Sequence, residues 1–236
     1  MTFLEMKTDA LDLLHELQNH SQYSETKLGN YLNRGSVEFV RKTECIEDTI
    51  DVTTVANQFE YTEADAAALQ YLKLPYQVRY VLSSSEVGEP LTPFPGGYTN
   101  LPKTKSYSTP SHYWLRNIGG KTRGAIPSAY TGFRIGTWPI CGTADKTIRI
   151  DGFMWPVKMT DDTHVPEYKD GWHEAPVFYA AYRLFMMFSH LRPAWHNKAL
   201  EMKALFDELV ITANQDLSKQ DDAPFVPIDV QRQWAY

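Results

Sequence analysis

The spacing of apolar side chains predicts helices at the start of the chain. Apolar residues recur every three to four positions across residues 2–18 and 24–42, which predicts two amphipathic helices. Thr2 and Glu5 have the spacing of a capping box, and Ser24 is a suitable N-cap for the second helix. Gly29 and Gly35 each cost the second helix about 1 kcal/mol relative to alanine, and such small residues allow another helix to approach closely.

The helical period stops after residue 43, and strand patterns replace it. β-branched residues at 48–55 predict a strand, with a second short strand at 58–61. Residues 77–82 predict another strand, and Pro75 marks an edge or a bulge at its start. Alternating runs at 132–138 and 147–155 flank a turn-rich segment, which predicts a β-hairpin or two neighbouring strands.

Residues 83–130 leave two interpretations open. The segment holds six prolines and many Gly, Ser and Thr residues, and a structureless loop of this length is uncommon inside a compact domain. Either it forms short irregular strands, with 111–116 as the best candidate, or it projects as an arm onto a neighbouring molecule.

Helical patterns return in the last third of the chain. Residues 172–190 are mostly apolar and aromatic, are too interrupted by polar residues for a membrane span, and predict a buried helix. Pro193 suits the first turn of a final helix that ends near residue 217. The short connection at 191–192 predicts that these two helices are antiparallel neighbours. The final helix carries an apolar stripe of Trp195, Ala199, Met202, Phe206, Leu209 and Ala213.

This order of elements predicts an α+β fold. We expect an antiparallel four-helix bundle with an inserted β-barrel or β-sandwich domain and an extended C-terminal tail. The bundle would comprise residues 1–43 and 170–217, the β-domain 44–169, and the tail 218–236. The acidic loop at 160–170 would then be a hinge between bundle and β-domain.

Charge and composition narrow the classes of function. The net charge of −6 argues against a surface that grips nucleic acid, although DNA could pass close to an acidic wall. The 14 Tyr, 11 Phe and 6 Trp residues point to assembly interfaces as well as to cores. Cys45 and Cys141 predict buried reduced thiols. The start of the chain lacks the pattern of a signal peptide, so we expect a soluble protein made inside a cell.

The sequence predicts no catalytic, metal-binding or cofactor-binding residues. The seven histidines lack zinc-site spacing, although His173 and Glu174 are adjacent. Asp161, Asp162, Glu167 and Asp170 lack the spacing of a calcium loop, and we expect a solvated loop that supplies negative charge to a helix N-terminus. Gly120-Lys121-Thr122 resembles only the end of a phosphate-binding loop.

The C-terminal tail carries the candidate partner-binding residues. Apolar side chains on a polar linker are typical of an interaction site, although the tail could also fold back onto its own helices. The alternation within the tail suits strand addition to the sheet edge of a partner. The six candidate residues are Phe225, Val226, Ile228, Val230, Trp234 and Tyr236.

With these elements in place, the chain resembles the head-to-tail adaptor (connector or head-completion) proteins of tailed bacteriophages. Residues 33–40 resemble the second helix of that family, and 49–55, 59–61 and Leu74-Pro75 resemble its hairpin. Residues 135–139 and 147–150 resemble its paired strands. Residues 161–166 and 175–185 resemble its acidic loop and third helix. Segment 83–130 is longer than the corresponding insertion in the family.

The resemblance implies a structural, non-enzymatic protein of the virion neck, made in the host cytoplasm. It implies a ring, usually twelve-fold, that binds the portal and a tail or nozzle protein and prolongs the DNA channel without sequence-specific DNA binding. One alternative is a tail-completion or tail-tube-end protein, a class with few helices. Another is a carbohydrate-binding module that stacks sugars on Tyr98, Tyr107, Tyr113 and Trp114.

Overall fold

The computed structural model describes residues 1–17, 24–82, 88–95, 107–117 and 133–220. It divides into two compact units. The helical unit comprises Met1–Ile46 and the described residues from Trp155 onward, and the sheet unit comprises the described residues of Glu47–Met154. That these units act as separate domains stays a prediction. None of the described helices is long and apolar enough to span a membrane.

Two helices form the first part of the helical unit, and both begin where the caps predict. Helix α1 spans Phe3–Leu13, with Thr2 and Glu5 forming the capping box. Helix α2 spans Glu25–Thr43, and the side chain of Ser24 accepts a hydrogen bond from the backbone N–H of Lys27. Helix α1 is shorter than predicted, because a 3-10 turn at His15–Leu17 follows it.

Helix α3 spans Ala175–Phe188 and helix α4 spans Pro193–Gln220. Ring contacts pair Phe188 with Trp195 and Tyr179 with Phe206, so the two helices run antiparallel, as predicted. Helix α3 is the centre of the unit, since it packs against each of the other three helices. Its buried face joins α1, α2 and α4 in one apolar core that includes Met6, Leu32, Ala180, Leu184 and Trp195.

The predicted antiparallel four-helix bundle with an inserted barrel or sandwich is wrong. The four helices are too unequal for a bundle, because at 1.5 Å per residue α1, with 11 residues, covers less than half the length of α4, with 28 residues. Helices α1 and α4 also lack an extensive direct contact. No barrel closes among the described strands, which form open sheets with free edges.

The largest described sheet has the order β1-β9-β2-β3. Ile50, Ile150 and Val78 are aligned across its three long strands and are buried. Pro75 coincides with a register irregularity in β2, as predicted. The strands of this sheet are β1 (Glu47–Thr53), β2 (Leu72–Val81), β3 (Glu89–Pro90) and β9 (Thr147–Met154).

Smaller sheets complete the described part of the sheet unit. Strands β4 (Thr92–Pro93), β6 (His112–Asn117) and β7 (Phe133–Trp138) form one sheet, in which β6 confirms the strand predicted at 111–116. Strands β5 (Tyr107–Ser108) and β8 (Ile140–Cys141) form another. The runs at 132–138 and 147–155, predicted as a β-hairpin or two neighbouring strands, are both strands, but the hairpin is wrong, because β7 pairs with β6 whereas β9 pairs with β1 and β2.

Candidate assembly surfaces

The residues predicted from sequence to bind a partner lie outside the described part of the chain. These are Phe225, Val226, Ile228, Val230, Trp234 and Tyr236 of the tail. Most of segment 83–130, including Tyr98, also lies outside it, so the choice between irregular strands and a projecting arm stays open there.

The aromatic residues suggested for sugar stacking do not form a platform. Trp114 is buried against Phe59, with ring centroids 5.0 Å apart, and Tyr113 is buried beside it in β6. Burial raises the pKa of the Tyr113 hydroxyl. Of the three candidates that the structure describes, Tyr107 alone is exposed. A single exposed ring gives little support to a carbohydrate-binding module.

His173 and the two cysteines are the histidine and cysteine residues considered for a metal site or a disulfide. In the described ranges, no three His, Cys, Asp or Glu side chains are grouped so that they could hold a metal ion. His173 is buried, and its Nε2 lies 2.7 Å from the carbonyl oxygen of Tyr168. Burial lowers the pKa of the His173 imidazole, which favours its neutral form. Neither cysteine forms a disulfide, and Cys141 is buried whereas Cys45 is half-buried.

The acidic loop at 160–170 is hydrogen-bonded to the helical unit, and its role as a hinge stays a prediction. The N–H groups of Phe3 and Leu4, in the first turn of α1, donate to the carbonyl oxygens of His164 and Asp162 at 2.7 and 3.1 Å. These bonds satisfy donors that a helix N-terminus leaves without internal partners. The carboxylate of Asp162 also pairs with Lys7 at 2.5 Å. The loop thus fixes where α1 begins.

Asn33 of α2 holds the start of the same loop. Its side-chain amide donates to the carbonyl oxygen of Met159 at 2.9 Å, and its side-chain oxygen accepts from the N–H of Met159 at 2.7 Å. Asn33 thus binds both the N–H and the C=O of Met159, and this pair of hydrogen bonds fixes the position of the backbone there. Together with the α1 contacts, they lock the loop against the two N-terminal helices.

Arginine and tyrosine side chains form an open surface where α2 meets α3. The guanidinium groups of Arg34 and Arg183 lie 5.7 and 6.0 Å from the ring centroid of Tyr31. Tyr179 and Tyr182 of α3, which are half-buried, extend this aromatic area, with their ring centroids 6.2 Å apart. We call these five residues the tyrosine–arginine face.

Both arginines of this face are exposed, and neither forms an ion pair with a carboxylate of the described residues. The neighbouring carboxylate of Glu38 is 2.6 Å from Arg41 instead. Tyrosine and arginine are the residue types most enriched at the energetic centres of protein interfaces. The face therefore has the composition of a protein-binding surface.

Helix α1 presents a surface of the opposite charge. Glu5, Asp9 and Asp12 follow one another at helical spacing and are exposed, whereas Phe3, Met6 and Ala10 point into the core. Asp9 and Asp12 form no ion pair within the described ranges. Leu4 is beside them and is 52% exposed. We call Leu4, Glu5, Asp9 and Asp12 the acidic face of α1.

Helix α4 has a second apolar stripe on its solvent side. Leu200, Ala204 and Ile211 are exposed and recur at helical spacing, opposite the buried face that contains Met202 and Phe206. A stripe of three apolar residues is narrow, and by itself it does not indicate which kind of partner would bind there.

Several charged side chains of the sheet unit form ion pairs with one another. On the polar side of the largest sheet, Asp51, Arg149 and Arg79 are aligned across β1, β9 and β2. Arg149 donates two hydrogen bonds of 2.8 Å to Asp51, and Arg79 donates one of 2.5 Å to Asp151. Arg134 pairs with Glu60 in the same way. The charges within these pairs neutralise one another.

Sequence reasoning singled out neither face of the helical unit. The acidic spacing of α1 was readable from the helical period, whereas Tyr31 and Arg183 are far apart in sequence and only the packing of α2 on α3 joins them.

The chain was also compared with known proteins. A search of curated proteins found no match. The profile of the SU10 adaptor protein family matches residues 1–228, which include every described residue of both units. The family is one of bacteriophage structural proteins, a class that is generally non-enzymatic, and it implies a component of the virion that contacts other phage structural proteins. The match confirms the resemblance to phage head-to-tail adaptors, and the chain belongs to the SU10 adaptor protein family.

Proposed function

We propose that the chain forms a ring in the neck of a tailed-phage virion, between the portal and the tail, and that the ring extends the DNA channel. The observation that carries this proposal is the family match across residues 1–228. The ring would contain about twelve copies, as the resemblance to head-to-tail adaptors implies. A tail-completion protein fits less well, because that class has few helices and the described residues include four.

The charges of the chain support this function. A channel through which DNA must slide should not bind phosphates tightly, and the net charge of −6 meets that requirement. A closed ring of identical subunits needs two different surfaces that fit each other. The helical unit offers exposed surfaces of opposite charge, the tyrosine–arginine face and the acidic face of α1.

Within this proposal, the tail at 218–236 anchors the ring to the portal. Its apolar residues, Phe225, Val226, Ile228, Val230, Trp234 and Tyr236, would enter the neighbouring portal ring, and the opposite end of the assembly would receive a tail or nozzle protein. DNA would pass through without sequence-specific contacts.

The ring is tested by native mass spectrometry of the purified chain, alone and after mixing with portal rings. We expect a closed oligomer whose mass is a whole multiple of one chain. A protein that stays monomeric in both samples would overturn the ring.

The tail is tested by deleting residues 223–236. We expect an unchanged circular dichroism spectrum and loss of co-sedimentation with portal rings, because the deletion removes the proposed anchor and no described residue. Undiminished co-sedimentation would remove the role of the tail and leave the ring untouched.

A further inference from the structure

We propose that neighbouring copies of this chain meet head to tail, with the tyrosine–arginine face of one copy against the acidic face of α1 on the next. This inference rests on the proposed ring and names the surfaces that form it. The contact pairs Arg34 and Arg183 with Asp9 and Asp12 of the neighbouring copy, around Tyr31.

The arginines have the surroundings that an interface needs. Tyr31, Tyr179 and Tyr182 are half-buried, so a partner that covers them removes aromatic surface from water with little loss of side-chain freedom. Both guanidinium groups contact the same ring, since they lie 5.7 and 6.0 Å from the centroid of Tyr31. Arg41 forms an ion pair with Glu38, and Lys42 and Lys203 both form ion pairs with Asp207, so these carboxylates already have cationic partners.

Charge complementarity selects a second copy as the occupant. The acidic face of α1 holds Asp9 and Asp12 without ion pairs in the described part of the chain, with Leu4 exposed beside them. Both faces therefore have charges that their own chain leaves unmatched, and the charges are of opposite sign. Leu4 supplies an apolar group for the tyrosine rings.

The two faces belong to different surfaces of the helical unit. Helix α1 packs on α2 and α3 through Phe3, Met6 and Ala10, and its carboxylates point away from that contact. The arginines do not reach Asp9 or Asp12 of their own chain. A contact between two different surfaces is heterologous, and it builds a ring when the rotation that relates neighbouring copies closes.

Nucleic acid is the weaker occupant for the same face. Two arginines could contact phosphates, but Glu38 lies close enough to Tyr179 to contribute to the raised pKa of its hydroxyl, after the larger effect of burial. The chain as a whole is acidic, which weakens binding to DNA.

The test uses charge reversal in the full-length chain. One variant carries Arg34→Glu and Arg183→Glu, and the other carries Asp9→Arg and Asp12→Arg. Each places like charges opposite each other, and we expect the protein concentration at half-assembly to rise at least about tenfold. A matched control for the second variant, Glu201→Arg with Glu208→Arg, makes the same charge change on exposed positions of α4 and should assemble as the original chain does.

Mixing the two reversed variants gives the decisive measurement. When they alternate around a ring, every contact again joins opposite charges, so an equimolar mixture should recover rings with an even number of subunits. Circular dichroism checks folding. If a Glu variant unfolds, Arg34→Gln with Arg183→Gln gives the same test with a smaller expected effect.

The outcomes separate this inference from the proposed function. Rings from the original chain, their loss in each variant and their recovery in the mixture support the contact. Rings from the original chain and equally from both variants overturn the contact but not the ring. Loss without recovery, or loss in the α4 control, also overturns it. If the variant with Arg34→Glu and Arg183→Glu still forms rings but binds duplex DNA more weakly in a gel-shift assay, the face binds DNA. Absence of rings from the original chain overturns both proposals.

Discussion

The helical unit and the sheet unit differ in how they use charged side chains. In the sheet unit, Arg79 with Asp151 and Arg149 with Asp51 pair across neighbouring strands on the polar side of a sheet. In the helical unit, the core is apolar and aromatic, while Arg34, Arg183, Asp9 and Asp12 are exposed without ion pairs among the described residues. Ion pairs also occur in the helical unit, for example between Lys42 and Asp207, so the difference lies in these four exposed charges, which in the proposed ring would meet a neighbouring copy.

The difference follows from the geometry of the elements. Side chains on neighbouring strands lie about 5 Å apart, so opposite charges at aligned positions pair without further cost in chain ordering. On a helix surface, a partner must come from three or four residues away or from another element. Carboxylates at Glu5, Asp9 and Asp12 repeat at that spacing and leave no place for a cation between them.

The largest expected effects come from removing one buried tryptophan from each unit. Trp114 of the sheet unit and Trp195 of the helical unit are each 1% exposed. Trp114→Ala and Trp195→Ala should each cost about 3–5 kcal/mol of unfolding free energy. Urea denaturation followed by circular dichroism at 222 nm measures the loss of helical structure. If the units fold independently, Trp195→Ala lowers the midpoint of that signal and Trp114→Ala leaves it nearly unchanged. Equal losses would show that the units unfold together.

The charge pairs of the sheet should differ among themselves according to burial. Asp151 is 6% exposed, and it accepts hydrogen bonds from Thr49 and Arg79. Asp151→Ala leaves the half-buried guanidinium of Arg79 without its counter-charge, and we expect a loss of about 2–3 kcal/mol. Asp51→Ala breaks a pair that is half exposed to water and should cost under about 1 kcal/mol. Chemical denaturation measures both, and equal costs would contradict the ranking.

Two glycines of α2 provide a matched test of helix packing. A Cβ at Gly35 would lie 2.7 Å from the backbone of Pro176 in α3, whereas a Cβ at Gly29 would lie 3.3 Å from the ring of Phe3. Gly35→Ala should destabilise the helical unit by about 1–3 kcal/mol, because the α3 backbone must move. Gly29→Ala should be neutral or stabilising by up to about 1 kcal/mol, because alanine favours the helix. Thermal unfolding measures the stability change of each variant. Stability changes of the same sign for Gly35→Ala and Gly29→Ala would contradict this prediction.

The smallest expected effect is a difference in pH response between the units. Burial lowers the pKa of His173, so below its ordinary value of 6.5 the unfolded chain binds a proton that the folded chain does not. The helical unit should therefore lose stability as the pH falls below 6.5, by at most about 1.4 kcal/mol per pH unit. His173→Gln should remove this slope, which thermal unfolding at pH 7.5 and pH 5.5 measures.

The sheet unit should respond only at lower pH. The hydrogen bonds from Arg149 hold the pKa of Asp51 below its ordinary value of 3.8. The stability that this pair contributes is present above pH 3.8 and is lost as the pH falls through the pKa of the folded state. A loss of sheet stability near pH 6 would contradict this assignment.

The sequence predicted the caps and the helices better than it predicted their assembly. The capping box of Thr2 and Glu5, the cap at Ser24 and the antiparallel pair α3–α4 are confirmed. The predicted four-helix bundle is wrong for two reasons. Helix α1 ends at Leu13, and the other three helices pack around α3 instead of around a common bundle axis. The hairpin is wrong because strand pairing depends on residues far away, and β9 finds its partners in β1 and β2.

The features that the sequence alone determined are those that depend on local interactions. Helical period, caps and the acidic spacing on α1 depend on residues within four positions, so they are readable before any fold is known. The tertiary structure decided which apolar faces pair, how the acidic loop meets α1, and that Arg34 and Arg183 both contact Tyr31. These features join distant parts of the chain through packing and pairing, and only the folded backbone brings them together.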